Sequence, residues 1–133
     1  DADGIHVGQK DMEAENVRKL IGENKILGVS VHTVEQALRA EKMGADYIGV
    51  GAVFTTATKE DANNISLETV KKICNSVTIP VVAIGGINKN NIMDLAGSGV
   101  DGVAVISAIF AQPDIEMAVG ELIELSNKMT AAL

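Results

Sequence analysis

Aromatic side chains are scarce in this chain of 133 residues: they make up 2% of it, and Trp is absent. A core built from this sequence must therefore consist of Val, Ile, Leu and Ala, which supply most of a hydrophobic fraction of 47%. Such aliphatic composition favours buried parallel strands, which appear in a sequence as continuous apolar runs. The length is sufficient for one domain with a hydrophobic core of its own.

Other scarcities exclude whole classes of protein. The single cysteine, Cys74, excludes an internal disulfide framework. Basic residues number 11 against 18 acidic ones, and the net charge of -7 argues against a nucleic-acid partner. No apolar run approaches the ~20 residues of a membrane span, and no signal peptide is visible. We therefore expect a cytoplasmic protein without a membrane partner.

An acidic chain that binds phosphate groups must hold them locally, with backbone amides, single lysines or a divalent metal.

Aliphatic runs alternate with helical periodicities along the chain. The runs cover residues 5–7, 26–31, 47–53, 81–84 and 103–106. This alternation predicts an α/β fold with about five βα units and a parallel sheet. A closed (β/α)₈ barrel needs eight such units. The alternatives are a small open sheet or a partial TIM barrel, and the abrupt start favours residues 1–133 as the C-terminal portion of a single barrel domain whose N-terminal units are missing.

Capping residues mark the expected ends of the helices. Thr33 with Gln36 three residues later matches a capping box, and glycines follow two of the helical stripes. Asp46 and Asp101 each precede a strand, where we interpret them as turn residues and not as catalytic groups. The remaining predicted signals are Ser66 and Asn88 as N-caps, Pro113 at the first position of the last helix, and Gly22 and Gly44 as stops.

The last two strands both end in small residues. Residues 80–87 read PVVAIGGI, and residues 102–109 read GVAVISAI. Glycine lets the backbone approach an anion closely, and the helix that follows begins with unpaired N–H groups. In (β/α)₈ barrels a phosphate site commonly lies after the last two strands. We therefore predict a phosphate pocket formed by the backbone around Gly86 and Ser107.

Polar residues also follow the earlier strands. Asp11 is either a ligand of a divalent metal or the N-cap of a helix that begins at Met12. Ser30 ends an apolar strand without a neighbouring nucleophile motif, so we expect it to hydrogen-bond a substrate. We interpret His6 and His32 as structural hydrogen-bonding groups. The hydroxyl-rich and basic loop of Thr56, Thr58 and Lys59 either binds phosphate or is an ordinary surface loop.

Six segments, taken in order, resemble thiamine phosphate synthase, a family of (β/α)₈ phosphate-binding barrels. Each segment alone is only moderately specific, whereas the ordered set extends over essentially the whole chain. The segments are residues 3–11 (DGIHVGQKD), 28–33 (GVSVHT), 44–51 (GADYIGVG), 56–59 (TATK), 82–87 (VAIGGI) and 102–107 (GVAVIS).

The resemblance implies a transferase that joins an aminopyrimidine methyl pyrophosphate to a hydroxyethylthiazole phosphate and releases pyrophosphate, with Mg²⁺ as cofactor. By family position, Asp11 is a Mg²⁺ ligand, Ser30 contacts the pyrimidine, and Lys59 contacts the pyrimidine pyrophosphate. Lys59 and Ser30 are thus the expected catalytic residues. The thiazole phosphate is expected to be bound by Thr56, Thr58, Gly86, Ile106 and Ser107.

Two departures from the family pattern leave alternatives open. Family members often have proline where Ala52 stands, and the related thiazole tautomerase has a histidine there. The family's second metal-binding aspartate and part of its pyrophosphate site lie on strands that precede this chain. A tautomerase-like relative and a non-catalytic fragment that only binds phosphate are therefore the alternatives. An exposed strand edge at residues 5–7 makes a homo-oligomer a further expectation.

Overall fold

The computed structural model describes residues 1–55 and 64–132. Within them, five strands form one parallel sheet in the order β1-β2-β3-β4-β5, so β1 lies at an edge as expected. Helices follow the strands, which confirms the predicted α/β class. The strands are β1 (Gly4–Val7), β2 (Ile26–Val31), β3 (Tyr47–Val50), β4 (Val81–Ile84) and β5 (Gly102–Ala104).

Two strands are shorter than their aliphatic runs predicted. The third run reaches residue 53, but β3 ends at Val50, because the chain then turns over the end of β4. There the N–H of Val53 donates to the carbonyl of Ile84 at 3.0 Å, and Val53 is buried outside the strand. The fifth run reaches residue 106, whereas β5 ends at Ala104.

The helices are α1 (Ala14–Ile21), α2 (Val34–Lys42), α3 (Leu67–Ser76), α4 (Ser107–Phe110) and α5 (Ile115–Ala131), with a 3₁₀ turn at Ile92–Leu95. Thr33 and Ser66 cap α2 and α3 as predicted, each accepting a backbone N–H at 3.1 Å. Within residues 1–55 and 64–132, no helix has the length and apolar composition that crossing a membrane requires.

Two predicted helix starts are wrong. Asn88 does not cap a full helix: its side chain accepts the N–H of Asn90 at 2.8 Å, and only the 3₁₀ turn follows. Pro113 does not occupy the first helical position, because Asp114 caps α5 by accepting the N–H of Met117 at 2.9 Å. A carboxylate that satisfies a free N–H at the helix start outcompetes the preference of proline for that position.

The two faces of the sheet have different compositions. Leu27, Val29 and Val31 of β2 are at most 4% exposed and pack on one face with the helices. Parallel register places small or polar residues side by side on the other face, where Gly28 pairs with Tyr47 and Ser30 pairs with Gly49. The core therefore lies between sheet and helices, and the opposite face can carry a site.

Two aspartates fix the starting ends of the strands. The N–H of Asp46 donates to the carbonyl of Leu27 at 2.8 Å, and the N–H of Leu27 donates back to the Asp46 carboxylate at 2.7 Å. Asp101 makes the same reciprocal pair with Val81, at 2.8 Å in both directions. This confirms their predicted role in turns, at the opposite ends of the strands from the candidate site.

Arg18 extends the Asp46 clamp to neighbouring loops. Its guanidinium donates to the Asp46 carboxylate at 2.6 Å and to the carbonyl oxygens of Gly22, Lys25 and Gly44. The N–H of Leu27, and next the guanidinium of Arg18, hold the pKa of Asp46 below its ordinary value. The ionised carboxylate therefore stabilises the fold.

We predict that Asp46→Asn lowers the free energy of unfolding by about 1 kcal/mol at pH 7, a modest loss because solvent screens a half-exposed carboxylate. Because the pKa of Asp46 is lower in the folded state, its contribution is complete above about pH 4 and is lost as the pH falls through the folded value. Urea unfolding at pH 7 and pH 3 measures this, and the difference between wild type and variant should shrink at pH 3. Asp94→Asn is the control, and an equal difference at both pH values contradicts the prediction.

Candidate functional site

A cavity of about 310 Å³ lies at the carboxyl ends of β2 to β5. Gly86 follows β4 and Ser107 follows β5, and both line this cavity, although 21 positions separate them in the sequence. Ser30 reaches the same cavity from β2. The structure thus brings together four of the predicted site residues: Ser30, Gly86, Ile106 and Ser107.

The loop after β4 is shaped by two consecutive glycines. Gly85 and Gly86 have φ values of 102° and 64°, in the left-handed region that favours glycine. A Cβ atom on Gly86 would lie 2.7 Å from the carbonyl oxygens of Phe54 and Thr55. The side-chain amide of Asn91 donates to the carbonyl of Gly86 at 2.9 Å and holds the loop in place. Only a residue without a side chain fits here.

The chain turns directly from β5 into α4 at the cavity. The carbonyl of Ile106 accepts the N–H of Phe110 at 2.9 Å, so the helix begins at Ser107. The N–H groups of a first helical turn lack partners within the helix. The side chain of Ile106 is 74% exposed and lies at the same edge. This edge presents backbone donors beside an apolar side chain.

Ser30 is held by contacts to both its side chain and its backbone. Its hydroxyl oxygen lies 2.7 Å from Nε2 of His6, and its carbonyl accepts the side-chain amide of Gln9 at 2.8 Å. His6 also contacts the hydroxyl of Tyr47 through Nδ1, at 2.8 Å. Desolvation of the ring lowers the pKa of His6 from its ordinary value. These contacts confirm the expected hydrogen-bonding role of His6.

His32 joins the ends of two strands. Its Nδ1 lies 2.6 Å from the carbonyl oxygen of Gly51, which directly follows β3. The ring lines the cavity beside Ala52, which brings only a methyl group to the wall. His32 is therefore a structural hydrogen-bonding residue, as expected from the sequence.

Asp11 lies in the loop after β1, where its carboxylate accepts the N–H of Gly8 at 2.7 Å. Helix α1 begins at Ala14, so the alternative of Asp11 as the N-cap of a helix from Met12 is wrong. Asp11 borders a separate small cavity of about 90 Å³ and does not line the larger one. Across residues 1–55 and 64–132, no group of three or more His, Cys, Asp or Glu side chains could hold a metal ion.

Thr56, Thr58 and Lys59 lie outside the described residues. The residues on either side of residues 56–63 are hydrogen-bonded to each other, since the side-chain amide of Asn64 donates to the hydroxyl of Thr55 at 2.8 Å. The N–H of Phe54 donates to the carbonyl of Gly85 at 3.0 Å. Both flanks of that segment are thus anchored beside the glycine loop.

Sequence reasoning missed the roles of Gln9 and Tyr47. Tyr47 is the only tyrosine of the chain and stands at the start of β3, within a run that the sequence presents as aliphatic. Its rarity was the available signal. Gln9 follows β1 directly, and only the fold shows that its amide reaches the end of β2.

Comparison with known proteins gives consistent results. Residues 1–109 match the family described as thiamine monophosphate synthase. A thiamine-phosphate synthase from Clostridium tetani is 55% identical over 96% of this chain and 61% of its own length. A second, from Ruminiclostridium cellulolyticum, is 56% identical over 93% of this chain and 59% of its own length.

A solved structure gives the same result for the fold. Thiamine phosphate pyrophosphorylase from Pyrococcus furiosus superposes with a TM-score of 0.87 at 48% identity, over 96% of this chain and 61% of that one. The predicted fold class, part of a TIM barrel, is thereby confirmed. This chain spans about three-fifths of the length of the relatives it matches.

We predict that Gly86→Ala lowers the free energy of unfolding by about 2 kcal/mol or more, because alanine disfavours the left-handed conformation and its methyl group would overlap two carbonyl oxygens. Gly120→Ala is the matched control: Gly120 lies inside α5 with open space around it. The control should be neutral or stabilising by about 0.5–1 kcal/mol. Urea unfolding measures both, and equal stability of the two variants contradicts the prediction.

Proposed function

Because this chain belongs to the thiamine monophosphate synthase family, we propose that the protein is a thiamine phosphate synthase. It joins an aminopyrimidine methyl pyrophosphate to a hydroxyethylthiazole phosphate and releases pyrophosphate. The observation that carries this proposal is the shared cavity: Ser30, which the family resemblance assigns to the pyrimidine, borders the same space as Gly86 and Ser107, which it assigns to the thiazole phosphate.

The thiazole phosphate occupies the edge formed by the ends of β4 and β5. Backbone N–H groups around Gly86 and Ser107 donate to its phosphate oxygens, a mode of binding that suits an acidic chain. Ile106 covers the apolar part of the thiazole. Thr56 and Thr58 add hydroxyl donors from the loop after β3. In support, Gly85, Gly86 and Ser107 border the cavity, so a ligand there can reach their backbone.

The pyrimidine lies toward β2, where Ser30 hydrogen-bonds the ring. By family position, Lys59 binds the pyrophosphate. In the reaction, the bond between the methylene carbon and the pyrophosphate oxygen breaks, and the electron pair leaves with the pyrophosphate. The lone pair of the thiazole nitrogen then forms the new carbon–nitrogen bond. The electron-rich aminopyrimidine supports the cation between the two events. The protein contributes positioning and neutralisation of charge.

Asp11 is the residue of this chain that would hold Mg²⁺. One carboxylate together with phosphate oxygens and water is a common set of ligands for this ion, and the single anchoring contact of Asp11 to Gly8 leaves its other oxygen available for a ligand. When bound, Mg²⁺ neutralises the leaving pyrophosphate. The second metal-binding aspartate of the family pattern, which precedes this chain, would complete the site.

The remaining assignments rest on composition. With a net charge of -7 we propose an enzyme of small phosphorylated substrates without a nucleic-acid partner. The cytoplasmic location and the absence of a membrane partner are proposed from the lack of a long apolar run or a signal peptide in the sequence. A homo-oligomer remains a prediction.

The test of this function is turnover by the full-length protein with both substrates and Mg²⁺, measured as thiamine phosphate and pyrophosphate formed in equal amounts. We predict that Lys59→Ala lowers kcat/KM by about 100-fold or more, since a charge-assisted contact to the pyrophosphate is lost, while the unfolding midpoint stays unchanged. Lys72→Ala on α3 is the control with wild-type kinetics. Conversion of a thiazole carboxylate tautomer without any pyrimidine would instead indicate the tautomerase.

A second prediction concerns the metal. Asp11→Asn keeps an oxygen that accepts the N–H of Gly8 but removes the negative charge. We therefore expect the Mg²⁺ concentration for half-maximal activity to rise about 10-fold or more, while thermal stability is retained. Titrating Mg²⁺ in the turnover assay measures this, with Asp94→Asn as the matched control. An unchanged Mg²⁺ requirement would remove Asp11 from the metal site.

A further inference from the structure

Three polar side chains form a continuous chain of hydrogen bonds across β1, β2 and β3. The Tyr47 hydroxyl lies 2.8 Å from Nδ1 of His6, and Nε2 of His6 lies 2.7 Å from the hydroxyl oxygen of Ser30. The tyrosine and histidine rings are 5.5 Å apart between centroids. This row of hydrogen bonds runs over the sheet face opposite the helices and ends at Ser30, which lines the cavity.

Two glycines make room for the hydrogen-bonded side chains of Tyr47 and His6. A Cβ atom on Gly28 would overlap the Tyr47 ring and would lie 2.5 Å from Nδ1 of His6. A Cβ atom on Gly49 would lie 3.3 Å from Cε1 of the same imidazole. Any larger residue at position 28 would therefore displace one of the two rings. The imidazole occupies a slot that the backbone of β2 and β3 leaves open for it.

The chemistry of the three groups determines which is the donor and which is the acceptor in each of these hydrogen bonds. Desolvation lowers the pKa of His6 and so favours the neutral ring, in which one ring nitrogen donates and the other accepts. A phenol is more acidic than an aliphatic hydroxyl and is therefore the better donor to imidazole. The Tyr47 hydroxyl then donates to Nδ1, and Nε2–H donates to Ser30. With one lone pair of its oxygen occupied, Ser30 turns its own hydrogen toward the cavity.

We propose that Tyr47 and His6 are positioning residues that fix the Ser30 hydroxyl as a hydrogen-bond donor into the cavity, where it selects a ring nitrogen of an aromatic heterocycle. The identification of that heterocycle as the aminopyrimidine rests on the proposed function. It matters that the Ser30 hydroxyl donates, because the pyrimidine carries acceptors in the ring and donors on its amino group. A Ser30 hydroxyl that can only donate excludes the orientation in which the amino group faces it.

The direction of the bond also decides which kinetic constant it affects. A hydrogen bond donated to a ring nitrogen weakens as the ring becomes cationic, so it contributes to binding and not to lowering the barrier. Loss of the Tyr47–His6–Ser30 hydrogen bonds should therefore raise the KM for the pyrimidine substrate without lowering kcat. The KM for the thiazole phosphate, bound at the other end of the cavity, serves as an internal control.

The kinetic test uses the full-length protein and a double-mutant cycle. We expect His6→Leu to raise the pyrimidine KM about 10-fold and Tyr47→Phe about 3-fold, with His6→Gln restoring most of the loss because its amide can donate to Ser30. In a Ser30→Ala background neither change should have a further effect. Independent effects in that background, or an equal rise of both KM values, would overturn the proposal.

A second measurement separates this proposal from the proposed function. The ¹⁵N shifts of the His6 ring at pH 7 should show Nε2–H as the tautomer, and the preference should weaken in Tyr47→Phe. If the wild type lacks turnover but shows this tautomer, the proposed function fails and the hydrogen-bonded chain stands. If the tautomer is Nδ1–H, Ser30 is not a fixed donor and the proposal fails, whatever the activity.

Discussion

The register of the parallel sheet is the constraint on which the site depends. A slip by one residue would turn every side chain of a strand to the other face, so Ser30 would enter the helix layer and Val29 or Val31 would face the cavity. The reciprocal hydrogen bonds of Asp46 with Leu27 and of Asp101 with Val81 oppose such a slip at the strand starts. Groups at the starting ends of the strands thereby determine which residues meet at the carboxyl ends.

The second constraint is charge. A protein of net charge -7 cannot rely on a basic surface to attract the phosphorylated substrates of the proposed function. Backbone amides avoid this difficulty, because they present donors without requiring a counter-charge to be buried. The left-handed glycines after β4 and the helix start after β5 both border the cavity. Both lie at the carboxyl ends of adjacent strands, so under the proposed function one cavity would accept both reactants.

The fold was largely predictable from the sequence, because strand runs, capping residues and stops are local patterns. The errors also have local causes: Asp114 replaced Pro113 as the helix start, and the apolar residue Val53 continued a strand run into a buried loop. The meeting of Gly86 and Ser107 was predictable, since the ends of parallel strands converge. The contacts of His6 with Tyr47 and Ser30 were not, because they depend on the register between three strands. The position of Asp11 away from the larger cavity was equally invisible in the sequence.

The glycines of β2 and β3 connect stability with function. Glycine within a strand weakens it by losing side-chain packing and by raising the entropy of the unfolded chain, and such local penalties concentrate at functional sites. Gly28 and Gly49 sit in the middle strands, where aliphatic residues would add to packing on the second face. Instead they leave open the slot that His6 and Tyr47 occupy. Since the helix-facing residues of the same strands are fully aliphatic, the sheet keeps its core on one face and gives up packing on the face that carries the candidate site.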